Sequence, residues 1–220
     1  MTDREKYFRQ IIDKLRLIDY IKPEDIPNIS LYMDQVTTFM DEHLQSLKRY
    51  EDDKMLTKTM INNYTKNNLL PSPDKKKYSK DHMLLLIFIY YFKNMLSISD
   101  IQSILGPLTE KFFKNDEVSL QYVYETIFSI ENEQASMLAK DILKKYTKSR
   151  EIFADCNGSD EDKEFLDNFS FICMLAFDIY IKKTIIEKMI DTGIMGDKKN
   201  KGKDTDSKAA KSKDKPEKGV

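Results

Sequence analysis

The residues best placed to do chemistry lie between positions 54 and 80, where seven lysines (Lys54, Lys58, Lys66, Lys75, Lys76, Lys77 and Lys80) stand against one acid, Asp74. Within that stretch Lys58, Thr59, Asn62, Asn63 and Lys66 recur at i, i+1, i+4, i+5 and i+8, which puts them on one face of a helix. Asparagine can pair with adenine through two hydrogen bonds, each such contact discriminating by about 1–3 kcal/mol. Lysines beside it would neutralise phosphates and make any binding salt-dependent, and the amino end of the helix can itself accept a phosphate. Lys75, Lys76, Lys77 and Tyr78 follow in a proline-rich turn and could grip the backbone of a polyanion. The bland alternative is a solvated loop, with Asn62-Asn63 only weakening and capping a surface helix.

Catalysis and metal binding have less to work with. The only histidines are His43 and His82, and His82 follows Asp81, a plausible helix cap, which favours a packing role. No nucleophile elbow, phosphate loop or dinucleotide fingerprint is present. Asp52-Asp53 and Asp160-Glu161-Asp162 sit in charged turns. DCNGSDED at 155–162 is loosely like a calcium loop, but its glycine is misplaced and the closing bidentate glutamate is missing, so it reads as a turn. Cys156 and Cys173 lack the further ligands that zinc requires. The chain is read as not an enzyme, with no cofactor and no metal site.

The totals fit a binding protein. Of 220 residues, 40% are hydrophobic and 33% charged, enough to bury a core beneath an ion-rich surface. The net charge of −1 is unevenly spread: residues 54–80 carry +6, residues 197–220 carry +4, and the remainder sums to −11. Positive charge gathered in a short segment attracts a polyanion locally. MTDREKYFRQ is charged from its third residue with no apolar core behind it, so no signal peptide is expected. Two cysteines suit a reducing cytoplasm.

The elements that must carry these residues read as helices. Tyr7, Phe8, Ile11, Ile12, Leu15 and Ile18 form a first stripe, ended by Pro23 and Pro27. Met33, Val36, Phe39, Met40, Leu44 and Leu47 form a second. Thr57 is the expected cap of a third helix, which Asn68 can end in a left-handed conformation. Met60, Ile61, Tyr64 and Leu69 would face the core. Ten apolar residues run from Met83 to Phe92, too few for a bilayer, which needs roughly 20; they predict a central core helix. Ser97 or Ser99 caps a short helix that Gly106-Pro107 terminates. A long helix then keeps Leu120, Val123, Ile127, Ile130, Leu138, Ile142 and Tyr146 on one side. The acidic turn at 156–164 leads to a last helix bearing Phe165, Phe169, Phe171, Met174, Phe177, Tyr180 and Met189, a stripe more suited to a core or dimer interface than to a ligand pocket. Asp178 within it needs a partner if buried. Residues 196–220 have almost nothing to bury and are expected to be disordered.

Taken together, LTKTMINNYTKNNLLPSPDKKKYSKDHMLLLIFIYYFKNMLSISDIQSIL resembles the DNA-binding domain of MerR-type regulators. In that family a capped recognition helix ends in a tyrosine-containing turn and Gly-Leu-Leu-Pro. A basic wing ending in tyrosine, a long helix and a short helix come after it. The counterparts here are Thr57, Tyr64, Leu69-Leu70-Pro71, Tyr78 and ISDIQSIL. The chain departs from the pattern where Thr59 and Asn62 replace two arginines, where Asn63 replaces a tyrosine, in a shorter wing, and in an insertion at QSLKRYEDDK. Over residues 28–108 it also resembles an uncharacterised bacterial domain family sharing LYMDQV, TKTMINNY and KKYS.

The residues read as an all-α protein, and the resemblance divides the chain into an N-terminal helix and linker (1–27), a MerR-like winged helix-turn-helix domain (28–108), a helical dimerisation or effector domain (109–195) and a lysine-rich tail (196–220). It implies a cytoplasmic transcriptional regulator that binds double-stranded DNA as a homodimer, through a dimerisation helix at 117–149, with room for a small-molecule effector and no membrane. The competing expectation is a helical protein-interaction module that keeps the fold without the DNA.

Overall fold

A computed structural model of the chain describes residues 20–194 apart from 54, together with Lys6, Gln10 and Ile12. The apolar stripe of the expected first helix, Ile12 aside, and the tail at 196–220 lie outside the described residues.

The all-α class holds, with one two-stranded antiparallel sheet. A 3-10 turn, Pro23–Asp25, leads to strand β1 (Leu31–Tyr32) and helix α1 (Met33–His43). After a second 3-10 turn, Gln45–Leu47, come helix α2 (Lys58–Lys66), strand β2 (Lys77–Tyr78), helix α3 (Lys80–Phe92) and helix α4 (Ile98–Phe112). Helices α5 (Leu120–Phe128), α6 (Glu131–Ile152) and α7 (Asp160–Asp191) complete the described residues.

Helix α3 is the axis of the core. His82 and every residue from Met83 to Tyr90 are buried, so its apolar run is consumed on all sides, as a core helix requires. Around it pack Val36, Phe39 and Met40 of α1, Ile61 and Tyr64 of α2, Ile101 and Leu105 of α4, and Leu120 and Tyr124 of α5. The same core takes in Ile21 and Ile26 from before residue 28 and reaches past residue 108. Tyr124 is fully buried, and its hydroxyl donates to the Ile21 carbonyl at 2.8 Å.

Four local readings are corrected. The stripe expected to continue to Leu47 leaves the α-helix at His43; the chain tightens so that Leu44 enters the core. Ser97 caps α4, accepting from Asp100 N, but Gly106-Pro107 does not end it, and Pro107 lies inside the helix. A proline removes one backbone hydrogen bond; here Leu108 and Phe112 beyond it still pack on the core, which holds the helix together. The long helix expected from 117 breaks at Ser129-Ile130 into α5 and α6. Leu120, Tyr124 and Phe128 tie α5 to the core, whereas α6 pairs with α7, and one straight rod could not do both. Finally, the acidic turn is shorter than expected, because Asp160, Glu161 and Asp162 already form the first turn of α7. Acids are favourable there: Asp162 accepts from Ser159 N at 3.0 Å and Ser159 Oγ at 2.7 Å, and these bonds lower its pKa.

Helices α6 and α7 form an antiparallel hairpin. Ser170 Oγ donates to the Ser149 carbonyl at 3.3 Å, and Tyr146 meets Phe171 edge-on at 5.5 Å. Asp178, the acid that needed a partner, has one in Lys145 at 2.7 Å. Lys145 also bonds Asp141, and the two carboxylates raise its pKa.

Candidate nucleic-acid interface

Helix α2 is delimited by side-chain chemistry at both ends. Thr57 Oγ1 accepts from Met60 N at 3.2 Å, filling one of the donors that a helix start leaves open. At the other end Asn68 takes φ 54°, and the amides of Leu69 and Leu70 both donate to the Tyr64 carbonyl, at 2.8 and 3.2 Å. Ile61, Tyr64, Leu69 and Leu70 are buried and Met60 half-buried. The opposite face carries Lys58, Thr59, Asn62, Asn63 and Lys66, all exposed. The face read from spacing is therefore a real surface.

The lysine turn is tighter than the sequence suggested. The Asp74 carbonyl accepts from Lys77 N at 2.8 Å, while Lys75 and Lys76 between them take φ 47° and 65°. Left-handed residues at both central positions characterise a type I′ hairpin, usually Asn-Gly. A side chain there costs roughly 1–2 kcal/mol per residue, so the chain carries strain where it presents two exposed lysines. The turn is held from behind: β2 pairs with β1, Leu31 opposite Tyr78 and Tyr32 opposite Lys77. Lys77 Nζ stands 5.1 Å from the Tyr32 ring centroid, a cation–π contact. Lys80 Nζ donates to Asn28 Oδ1 at 3.2 Å.

Tyr78 does not join this surface. It is 3% exposed, packs edge-on against His82 at 5.6 Å, and burial raises its hydroxyl pKa. A side chain so placed cannot reach a phosphate; it anchors the turn. His82 is a packing residue, but the cap of α3 is Ser79 rather than Asp81. His82 Nδ1 accepts from Ser79 N at 3.0 Å and lies 2.7 Å from Ser79 Oγ, and the ring meets Phe113 edge-on at 4.9 Å. Its Nε2 is buried, and burial lowers the pKa, outweighing the opposing pull of the Ser72 and Pro71 backbone.

Three neighbours of the site carried little sequence signal. Asp34, in the first turn of α1, ion-pairs with Lys58. Tyr32 holds Lys77, in a strand too short to show periodicity. An open groove of about 570 Å³ between α1 and the start of α2 is lined by Asp41 and Glu42 as well as Lys58 and Thr59, so the basic face has an acidic border. The insertion after α1 is pinned at both ends. Lys48 pairs with Asp41 at 2.9 Å. Met55 is buried, with its carbonyl bound by Lys93 Nζ at 2.6 Å and its sulfur by Tyr90 OH at 2.9 Å.

Among the described residues, no three His, Cys, Asp or Glu side chains are grouped to hold a metal ion, and no helix is long and apolar enough to cross a membrane. Cys156 and Cys173 are free thiols, both partly buried.

The candidate interface and every buried core residue except Ile190 fall within the part of the chain that is similar to a known family. No curated protein and no solved structure matches the chain. Residues 21–127, a wider span than the 28–108 that the motifs suggested, match the family described as a domain of unknown function, DUF1836.

Proposed function

We propose that the protein is a transcriptional regulator that binds double-stranded DNA through a winged helix-turn-helix like that of MerR-type proteins. In this reading α1 and α2 are the helix-turn-helix and the Asp74–Lys77 turn is the wing. The observation that carries it is the pairing of an exposed polar helix face (Lys58, Thr59, Asn62, Asn63, Lys66) with a strained, braced turn presenting Lys75, Lys76 and Lys77. A strained backbone persists only where its surroundings enforce it and is common at functional sites. The helix face reads bases and the turn holds phosphates. One short helix reads only a few base pairs, so two copies act on paired half-sites.

The test is selection of genomic fragments by the purified protein near physiological salt, beside a Lys75/Lys76/Lys77→Glu variant. Enrichment of a palindromic site by the wild type, lost in the variant, is the expected result. Asn62→Ala should instead relax sequence preference while keeping affinity for DNA in general. If the two changes act alike, the division of roles is wrong.

The acidic border favours a second reading, a helical protein-interaction module. Asp34 already neutralises Lys58, and Asp41 and Glu42 flank the groove. A partner held through apolar contacts would stay bound at about 0.5 M salt, where DNA contacts are lost. Failure of the wild type to enrich any fragment selects this reading.

A further inference from the structure

We infer that α7 is the surface on which a second copy of this chain docks, the two helices running antiparallel. The inference shares with the proposed function only the need for two copies, and it is tested without DNA.

Phe165, Phe169, Ile172, Ala176 and Ile179 recur at steps of four, three, four and three, the heptad spacing of a coiled-coil seam. All five are exposed, the four large ones at 66, 54, 61 and 63%. They cannot be serving the α6–α7 hairpin, because the face toward α6 is set by Ser170, and at 100° per residue the seam lies on the far side. Phe165 and Phe169 stack at 6.1 Å, giving one continuous apolar ridge.

Size and charge identify the occupant. With the adjoining Tyr180, also 66% exposed, the ridge offers about 600 Å² per copy, so two copies bury on the order of 1,200 Å², the lower edge of a standard stable interface. The lysine-rich tail has only Ala209, Ala210, Pro216 and Val220 as apolar residues, too little to cover it. The start of α7 is acidic (Asp160, Glu161, Asp162), and its later half carries the exposed Lys182 and Lys183. A parallel pair would set acid against acid. An antiparallel pair centred on Ile172 sets Glu161 near Lys183, Phe165 opposite Ile179, and the large Phe169 opposite the small Ala176. Lys183 is held only loosely at present, 3.6 Å from Glu187.

The experiment is light scattering on the full chain at about 50 µM, a concentration that populates a dimer of micromolar affinity. Wild type should have twice the chain mass. Ile172→Asp should halve it with the helical circular dichroism unchanged, since the residue is exposed in the single copy. Phe177→Asp, equally exposed but off the seam, should leave the dimer intact. A monomeric wild type, or a dimeric Ile172→Asp, overturns the inference. Direction is read by oxidation in a Cys156→Ser/Cys173→Ser background. A mixture of Phe165→Cys and Ile179→Cys chains should cross-link to each other. Phe165→Cys cross-linking to itself would overturn the antiparallel arrangement.

Discussion

Helices α3 and α7 are both rich in apolar residues, and the fold treats them in opposite ways. Every apolar side chain of α3 from Met83 to Tyr90 is surrounded by the chain's own elements. In α7, Phe165, Phe169, Ile172, Phe177, Ile179 and Tyr180 all remain more than half exposed, while Ser170 and Ile190 are its buried residues. Composition alone does not separate these fates; what surrounds the helix does. The first is a completed core, the second an apolar face that the single chain leaves exposed.

The sharpest way to break this contrast is to remove the same kind of atoms from each. Leu86→Ala, in α3, should lower the unfolding free energy by about 2–5 kcal/mol, as cavity-forming changes in cores do. Ile172→Ala, at low protein concentration where a single copy unfolds, should change it by no more than about 0.5 kcal/mol. Equal losses in urea titrations would mean that α7 is packed in the single chain after all.

A smaller effect separates the two helices by pH. Burial lowers the pKa of His82 at the start of α3, so the folded state binds that proton less readily than the unfolded chain does. The stability this contributes is present above the unfolded value of about 6.5 and is lost as pH falls through the depressed folded value. Thermal melts should therefore show an acid-side decline starting near pH 6.5. His82→Asn, which keeps an acceptor for Ser79 N, should flatten that part of the profile. Titration of α7 has no histidine to contribute, so an unchanged profile in the variant would assign the decline elsewhere.

The smallest expected change tests the strained turn. Lys76 at φ 65° should be relieved by Lys76→Gly, raising stability by about 1 kcal/mol. Under the proposed function the same change removes a phosphate contact and should reduce the salt dependence of DNA binding by about one charge. Lower stability in the glycine variant would show that the lysine side chain is itself part of the packing.

How much could be read in advance follows the same division between local and distant causes. The Thr57 cap, the left-handed Asn68, the buried stripe of α2 and the central place of α3 each depend on neighbours within a few residues, and all were legible. So was the exposed face from Lys58 to Lys66. The continuation of α4 through Pro107 was not, because its cause is the packing of Leu108 and Phe112 on residues far away in the chain. Nor was the break at Ser129-Ile130, where α5 answers to the core and α6 to α7. Tyr78 looked like a ligand because it ends a run of lysines. Strand pairing with Leu31 turns it inward, and a two-residue strand leaves no periodicity to reveal that. Asp34 was visible only as an acid at a helix start, a position that needs no further explanation.

The bond from Tyr124 to Ile21 spans 103 residues, and it sets a schedule for synthesis. When α3 and α4 have left the ribosome, the pocket that receives Leu120 and Tyr124 is still open, exposing part of the most apolar of the described helices. Translation from the end of α3 to the end of α5 takes about 2–7 s at ordinary elongation rates. Nascent chains stalled just after α4 should remain protease-sensitive, and those stalled once α5 has emerged should become resistant. The core therefore closes late, from a helix that the sequence places well beyond the lysine turn.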